Sequence, residues 1–297
     1  MKETYLGIDV GGTNTKYCLT DRKLRILDRG VLPTDKSMDI VCFLSELISD
    51  MLQKHSDIVW ASIGLPGIVD GERGIVHTAP SIMTGERMIQ KELQEKSQVP
   101  VFLENDVTLW AVSEGEFGAC EGMKDYVLIA LGTGIGSCIV INGEPYKGYD
   151  LAAGEIGYMV FPEDLQRNAK SSNEFGSFEK KVSASAIVND YNYGVELSIE
   201  ETFQHFKNQD NEKANQYISQ KFDYLSVGIA NIITILHPQA VVLAGKITCE
   251  WDFLYEGIQP RIDRLIHTQT KLLKSKTGDY GAALGAVLSG FKLSGKN

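Results

Sequence analysis

Over the first third of the chain, apolar residues fall in short strand-length runs stopped by glycine, with one long helix-spaced stripe among them. Thr4-Tyr5-Leu6-Gly7-Ile8-Asp9-Val10 is a run of strand type ended by Gly11-Gly12. The chain then resumes as Lys16-Tyr17-Cys18-Leu19, residues that suit a pleated surface. Strand, glycine turn, strand is a hairpin, whereas Rossmann and P-loop glycine turns open into a helix. Within residues 37–55, Ile40, Phe43, Leu44, Leu47, Ile48, Met51 and Leu52 recur at i, i+3, i+4, i+7, i+8, i+11 and i+12. Such a stripe predicts a helix packed on a sheet. A strand over Ile58–Ile63 leads into the turn signal Gly64-Leu65-Pro66-Gly67. Another, Val99–Leu103, runs into Glu104-Asn105-Asp106, where a helix carrying Leu109, Trp110 and Val112 begins.

The hairpin pattern then repeats. Tyr126–Leu131 reads as a strand, Gly132-Thr133-Gly134-Ile135-Gly136 as a turn and Ser137–Ile141 as a strand. The interval from Thr4 to Tyr126 exceeds the ~20–50 residues of a solenoid repeat and suggests a duplicated two-domain architecture. Residues 163–182 are polar and predict a loop, and helices are expected from about 199 to 236, punctuated by Pro238. Ala240–Leu243 reads as a strand delivered into Ala244-Gly245, and Gly281–Phe291 has the small-residue texture of a closely packed helix.

Composition narrows the class. A chain of 297 residues suits two domains of roughly 100–200 residues each. A net charge of −10 argues against nucleic-acid binding, which calls for a basic face. No stretch has the ~18 apolar residues of a membrane span, and the N-terminal residues lack a secretory apolar core. Cys18, Cys42, Cys120, Cys138 and Cys249 are scattered without a CxxC pair, so buried or half-buried free thiols in a reducing cytoplasm are expected.

Several of these turns and strand ends offer chemistry beside a structural alternative. Either glycine turn alone is an ordinary hairpin; two in matching positions form backbone N–H nests able to hold phosphates across a cleft. Asp9 reads either as a turn aspartate bonding its own backbone or as a carboxylate holding Mg²⁺ through water. Glu104-Asn105-Asp106 reads as a helix N-cap, with Asp106 also able to accept the proton of an attacking hydroxyl while Asn105 positions a sugar. Glu155, in Gly154-Glu155-Ile156-Gly157-Tyr158, is a surface carboxylate or a ligand for vicinal hydroxyls; Glu179, in Gly176-Ser177-Phe178-Glu179, is a further candidate.

In combination and order these motifs resemble the ROK family of sugar kinases and sugar-responsive repressors, within the actin/hexokinase/Hsp70-like fold. The carriers are Gly7–Lys16, Gly64–Gly67, Glu104–Asp106, Leu131–Gly136 and Gly154–Tyr158. The resemblance implies an α/β fold of two actin-like (ribonuclease H-like) domains with mixed sheets flanking an ATP/sugar cleft. The first domain would span residues 1–118 and receive the C-terminal helix 281–297; the second would span 119–280. Asp106 would be the base; Gly67, Asn105, Asp106, Glu155, Tyr158 and Glu179 would bind sugar. Asp9, Gly11, Gly12, Thr13, Asn14, Lys16, Gly132, Thr133, Gly134, Gly136 and Gly245 would serve ATP, with Mg²⁺ on Asp9 through water. Members often carry histidine where Tyr158 stands, followed by a three-cysteine zinc loop. Residues 172–179 contain no cysteine, so no zinc is expected. Ala244-Gly245-Lys246 departs from the glycine run of relatives.

The variant with Tyr158 and no zinc loop is similar to bacterial β-glucoside kinases, which act on the 6-hydroxyl of disaccharides such as cellobiose. Glucose, N-acetylmannosamine and fructose are the other expected acceptors. The resemblance also implies a homodimer. A repressor of this kind carries a helix-turn-helix ahead of the first glycine turn, for which the first dozen residues leave no room. A nucleotide-dependent chaperone or scaffold is disfavoured by Glu104-Asn105-Asp106.

Overall fold

A computed structural model describes residues 3–166, 176–191, 197–208, 212–267 and 269–295. The chain divides into two compact units: Met1–Glu121 with Lys147–Ala152 and Thr277–Asn297, and Gly122–Tyr146 with Ala153–Lys276.

The first unit runs β1 (Thr4–Val10), β2 (Asn14–Asp21), β3 (Ile26–Pro33), α1 (Ile40–Lys54), β4 (Ile58–Leu65), β5 (Ile68–Asp70), β6 (Ile75–Thr78), α2 (Ile89–Lys96), β7 (Val101–Asn105) and α3 (Asp106–Phe117). Its five-stranded sheet has the order β3-β2-β1-β4-β7. β1, β2 and β3 form an antiparallel meander, and β4 and β7 run parallel to β1. Successive side chains of a strand face opposite sides. Leu6, Ile8 and Val10 thus join a core with Leu44, Leu47, Ile48 and Met51 of α1. The stripe read from the sequence is the buried face of α1, opened by Asp39, whose Oδ1 accepts the Val41 N–H at 3.0 Å.

On the other face, Tyr5, Cys18 and Trp60 pack with Ala283, Leu284 and Val287 of the last helix, Gly281–Leu293. Glycine permits this contact: a Cβ on Gly285 would lie 1.8 Å from the Leu109 carbonyl oxygen, and one on Gly290 2.4 Å from the Trp60 ring. Gly285→Ala therefore forces the last helix away from α3. We expect a loss of roughly 1–3 kcal/mol, the usual range for overpacking, measured by urea unfolding. Wild-type stability in that variant would contradict the packing described.

The second unit comprises β8 (Tyr126–Leu131), β9 (Ile135–Ile141), β10 (Glu144–Pro145), α4 (Pro162–Gln166), α5 (Ser177–Val182), α6 (Ala184–Tyr191), α7 (Ile199–Asn208), α8 (Glu212–Leu236), β11 (Ala240–Ala244), α9 (Trp251–Leu265) and β12 (Lys271–Lys274). Its sheet, β10-β9-β8-β11-β12, repeats the first in strand sense: an antiparallel meander, then two parallel strands. The chain is an α/β protein with two five-stranded mixed sheets, and both glycine hairpins open them.

Two expectations need correction. Residues 163–182, read as loop, include helices α4 and α5. Both are too short, five and six residues, for an apolar period to show. Helix α5 buries Phe178 and Val182 in the core, and polar contacts tie it to α4: Lys181 Nζ lies 2.9 Å from Glu163 and 3.7 Å from Asp164, and the Tyr224 hydroxyl donates to Glu163 at 2.6 Å. Cys249 is exposed, whereas buried or half-buried thiols were expected; Cys18, Cys120 and Cys138 are buried. Among the described residues, no helix is long and apolar enough to cross a membrane.

Candidate active site

The carboxyl ends of β1, β4 and β7 lie side by side, the edge where open α/β sheets hold ligands. The register pairs Asp9 with Gly64, Gly64 with Glu104 and Leu65 with Asn105. Gly64 leaves room for the start of α3, since a Cβ there would lie 3.2 Å from the Asp106 Cα. The cap is Asn105, whose Oδ1 accepts the Thr108 N–H at 2.9 Å. Its Nδ2 donates to the Gly67 carbonyl at 3.0 Å and to Asp106 Oδ1 at 3.2 Å. Asp106 is then the first helical residue, with Oδ1 accepting the Val107 N–H at 2.8 Å and its charge at the positive end of α3. Gly67, at φ +92°, sits against Thr78: a Cβ would meet the Thr78 carbonyl oxygen at 1.9 Å.

Burial first, and the charge of Asp106 second, push the Asp9 carboxyl up from 3.8 to about 7, with Lys16 opposing. A buried carboxyl whose charged form is disfavoured by its surroundings is a group that a cation such as Mg²⁺ beside Asp9 would suit. Lys16 itself pairs across the hairpin with Asp9 and lies 3.9 Å from Asp279.

In the first glycine turn, Gly11 to Asn14 link the paired residues Val10 and Thr15, and the Gly11 N–H donates to the Asn14 carbonyl at 3.0 Å. Gly12 approaches Ser81, with a Cβ there 3.4 Å from the serine's own, while Thr13 and Asn14 are exposed.

The second turn is one residue shorter: Gly132, Thr133 and Gly134 link the paired Leu131 and Ile135, and Gly136 pairs with Ala130. The Gly132 N–H donates to the Gly134 carbonyl at 3.0 Å. Gly245, at φ +91°, packs on the strand before the turn, where a Cβ would lie 2.5 Å from the Leu131 carbonyl oxygen. Glu179 reaches this turn, Oε2 accepting the Ile135 N–H at 2.7 Å. Burial raises the pKa of Glu179, opposed by that hydrogen bond. Glu155 keeps solvent contact, but crowding around its carboxyl and, second, the charge of Glu179 hold its pKa above the usual range. Glu155 begins the turn Ile156–Tyr158, the Tyr158 N–H donating to its carbonyl at 3.1 Å, and Tyr158 is 58% exposed.

Three supporting residues carry no local sequence signal. Lys147 Nζ lies 2.7 Å from Glu104 Oε2, whose Oε1 accepts the Asn105 N–H at 3.0 Å. Thr34 braces the first turn, its hydroxyl donating to the Gly11 carbonyl at 2.8 Å and its N–H to the Thr13 carbonyl at 2.9 Å. Ser137 donates to the Gly154 carbonyl at 2.6 Å, anchoring the Glu155 turn to β9. Of the stretch on which the zinc expectation rests, residues 172–175 lie outside the described residues.

Paired glycine hairpins opening two sheets of like topology, with acidic strand ends, make this an α/β protein of duplicated design. The profile of the ROK family matches residues 5–289, and the chain belongs to that family. It is 29% identical over 284 residues to a glucokinase of Halalkalibacterium halodurans, covering 87% of this chain and 85% of the relative. It is 26% identical over 299 residues to an N-acetyl-D-glucosamine kinase of Pectobacterium atrosepticum, covering 96% and 98%. The crystal structure of a ROK family glucokinase from Streptomyces griseus, in complex with glucose and AMPPNP, superposes with a TM-score of 0.79 at 24% identity over 96% of this chain and 98% of that one.

Proposed function

We infer that the protein is an ATP-dependent sugar kinase whose acceptor is glucose or N-acetylglucosamine. The observation that carries this reading is the rung Asp9–Gly64–Glu104 with Asn105 spent as helix cap and Asp106 at the first helical position. Asp106 accepts the proton of the attacking sugar hydroxyl, which becomes the nucleophile toward the γ-phosphorus. Asn105, fixed by Gly67 and Thr108, has both amide hydrogens engaged and offers a sugar hydroxyl the second lone pair of Oδ1, and Glu155 and Glu179 accept from other sugar hydroxyls. The two glycine turns hold nucleotide phosphates through backbone N–H groups. Mg²⁺, when bound beside Asp9 through water, neutralises phosphate charge. The scattered free thiols fit a reducing cytoplasm.

For the acceptor, the relatives' names support glucose and N-acetylglucosamine, and none of those reported is a β-glucoside kinase. The β-glucoside reading rests on Tyr158, whose exposed ring offers a flat apolar face and a hydroxyl to a second sugar ring. A coupled ADP-release screen with Mg·ATP over glucose, N-acetylglucosamine, N-acetylmannosamine, fructose, cellobiose and gentiobiose decides among them. Turnover of glucose or N-acetylglucosamine is expected; ADP release with no sugar in the panel would sink the kinase reading.

A further inference from the structure

The second glycine turn already has an anionic occupant. Glu179 Oε2 sits 2.7 Å from the Ile135 nitrogen, where a phosphate oxygen accepting that N–H would have to be. Gly134 makes the approach possible, because a Cβ there would come within 2.5 Å of the same oxygen. Glu155 is near enough to feel the charge of Glu179, and two like charges disfavour a further anion. A carboxylate accepts hydrogen bonds and donates none, so a neutral polyhydroxyl ligand suits this pair and a phosphate does not.

We propose that Glu179 couples the two substrates: without sugar it holds the Ile135 N–H of the second glycine turn, and sugar hydroxyls draw it off so that a nucleotide phosphate takes its place. The inference rests on the sugar-kinase reading and extends it to the order of binding. Sugar binds first, and nucleotide binds the sugar-loaded protein more tightly. By linkage the nucleotide tightens sugar by the same factor. The device also limits ATP hydrolysis without an acceptor, because the phosphate site is completed only when the sugar is in place.

The test is calorimetric titration of Mg·ADP into the full chain, with and without saturating acceptor sugar, for wild type, Glu179→Gln and Glu179→Ala. Sugar should tighten ADP on the wild type by about fivefold or more, the low end of ordinary coupling. Without sugar, both variants should bind ADP more tightly than wild type, Glu179→Ala by about three- to tenfold, with little further gain from sugar. Should Glu179→Ala fail to fold, judged by thermal melting, Glu179→Gln decides alone, since it keeps the side chain's length and an acceptor but removes the charge. Sugar-free ADP affinity in Glu179→Gln equal to or weaker than wild type would overturn the proposal, even if the wild type phosphorylates sugar. Absence of sugar turnover in the wild type, with ADP binding released by the substitutions, would instead overturn the kinase reading.

Discussion

Asp106→Asn should lower kcat by about 10²–10⁴-fold, the usual contribution of a positioned general base, while sugar affinity and melting temperature stay close to wild type. The structural job of this carboxyl is separable from its proposed chemical one. Oδ1 is engaged structurally, accepting the Val107 N–H and the Asn105 amide. An asparagine oxygen takes both bonds, so the start of α3 and the orientation of Asn105 survive. What disappears is the negative charge and the basicity. Loss of charge at the helix N-terminus weakens α3 by only about 0.3–1 kcal/mol. The same substitution removes one cause of the raised Asp9 pKa, so the residual activity should hold to lower pH than the wild type's. Stopped-time ADP release against sugar concentration, at several pH values, measures kcat, the sugar dependence and the pH profile, and thermal melting measures the stability. Turnover within a few-fold of wild type across the acceptors would remove Asp106 from the base role.

How legible this site was in the sequence depends on what each feature needs from the rest of the chain. The α1 stripe and the two glycine hairpins are local: one face of a helix must be apolar, and a tight turn must be glycine-rich. Both could be read directly. The length difference between the hairpins could not, because it depends on which residues pair across the ladder, Val10 with Thr15 and Leu131 with Ile135. The juxtaposition of Asp9, Gly64 and Glu104 likewise follows from the register of parallel strands, which leaves no mark in any one segment. Helices α4 and α5 were hidden because each is too short for a period to register: α5 offers only Phe178 and Val182 to the core, and ion pairs and hydrogen bonds fasten α4. Helix α9 carries Pro260 within it, a residue that argues against a helix when read alone. The contacts Lys147 to Glu104 and Glu179 to Ile135 are single polar links between distant segments, invisible to periodicity. Family resemblance supplied Glu179 as a sugar ligand, and only the coordinates add its hold on the glycine turn.

Asp9→Asn should move activity and stability in opposite directions, which few substitutions do. If Asp9 reaches Mg²⁺ through water, as proposed, it belongs to the ion's outer shell, where substitutions cost about 10–100-fold in metal affinity or activity. The loss should appear as a raised Mg²⁺ requirement for ADP release. Stability behaves otherwise because the native state holds this carboxyl at about 7 against an ordinary value of 3.8. A group whose folded pKa is raised binds its proton more tightly in the native than in the unfolded chain. Its stabilising contribution is therefore fully present below about pH 4, fades as pH rises, and is gone above about pH 7. Asparagine is neutral throughout and escapes that loss. In protein stripped of metal and nucleotide, Asp9→Asn should thus melt about 2–4 °C or more above wild type at pH 8, for each kcal/mol relieved, with the difference shrinking toward pH 4. Calorimetric melting at pH 4.5, 6 and 8 follows the trend directly. A variant less stable than wild type at pH 8 would mean that Asp9 is held in place by favourable native contacts. The unfavourable burial on which the proposed cation role rests would then be refuted.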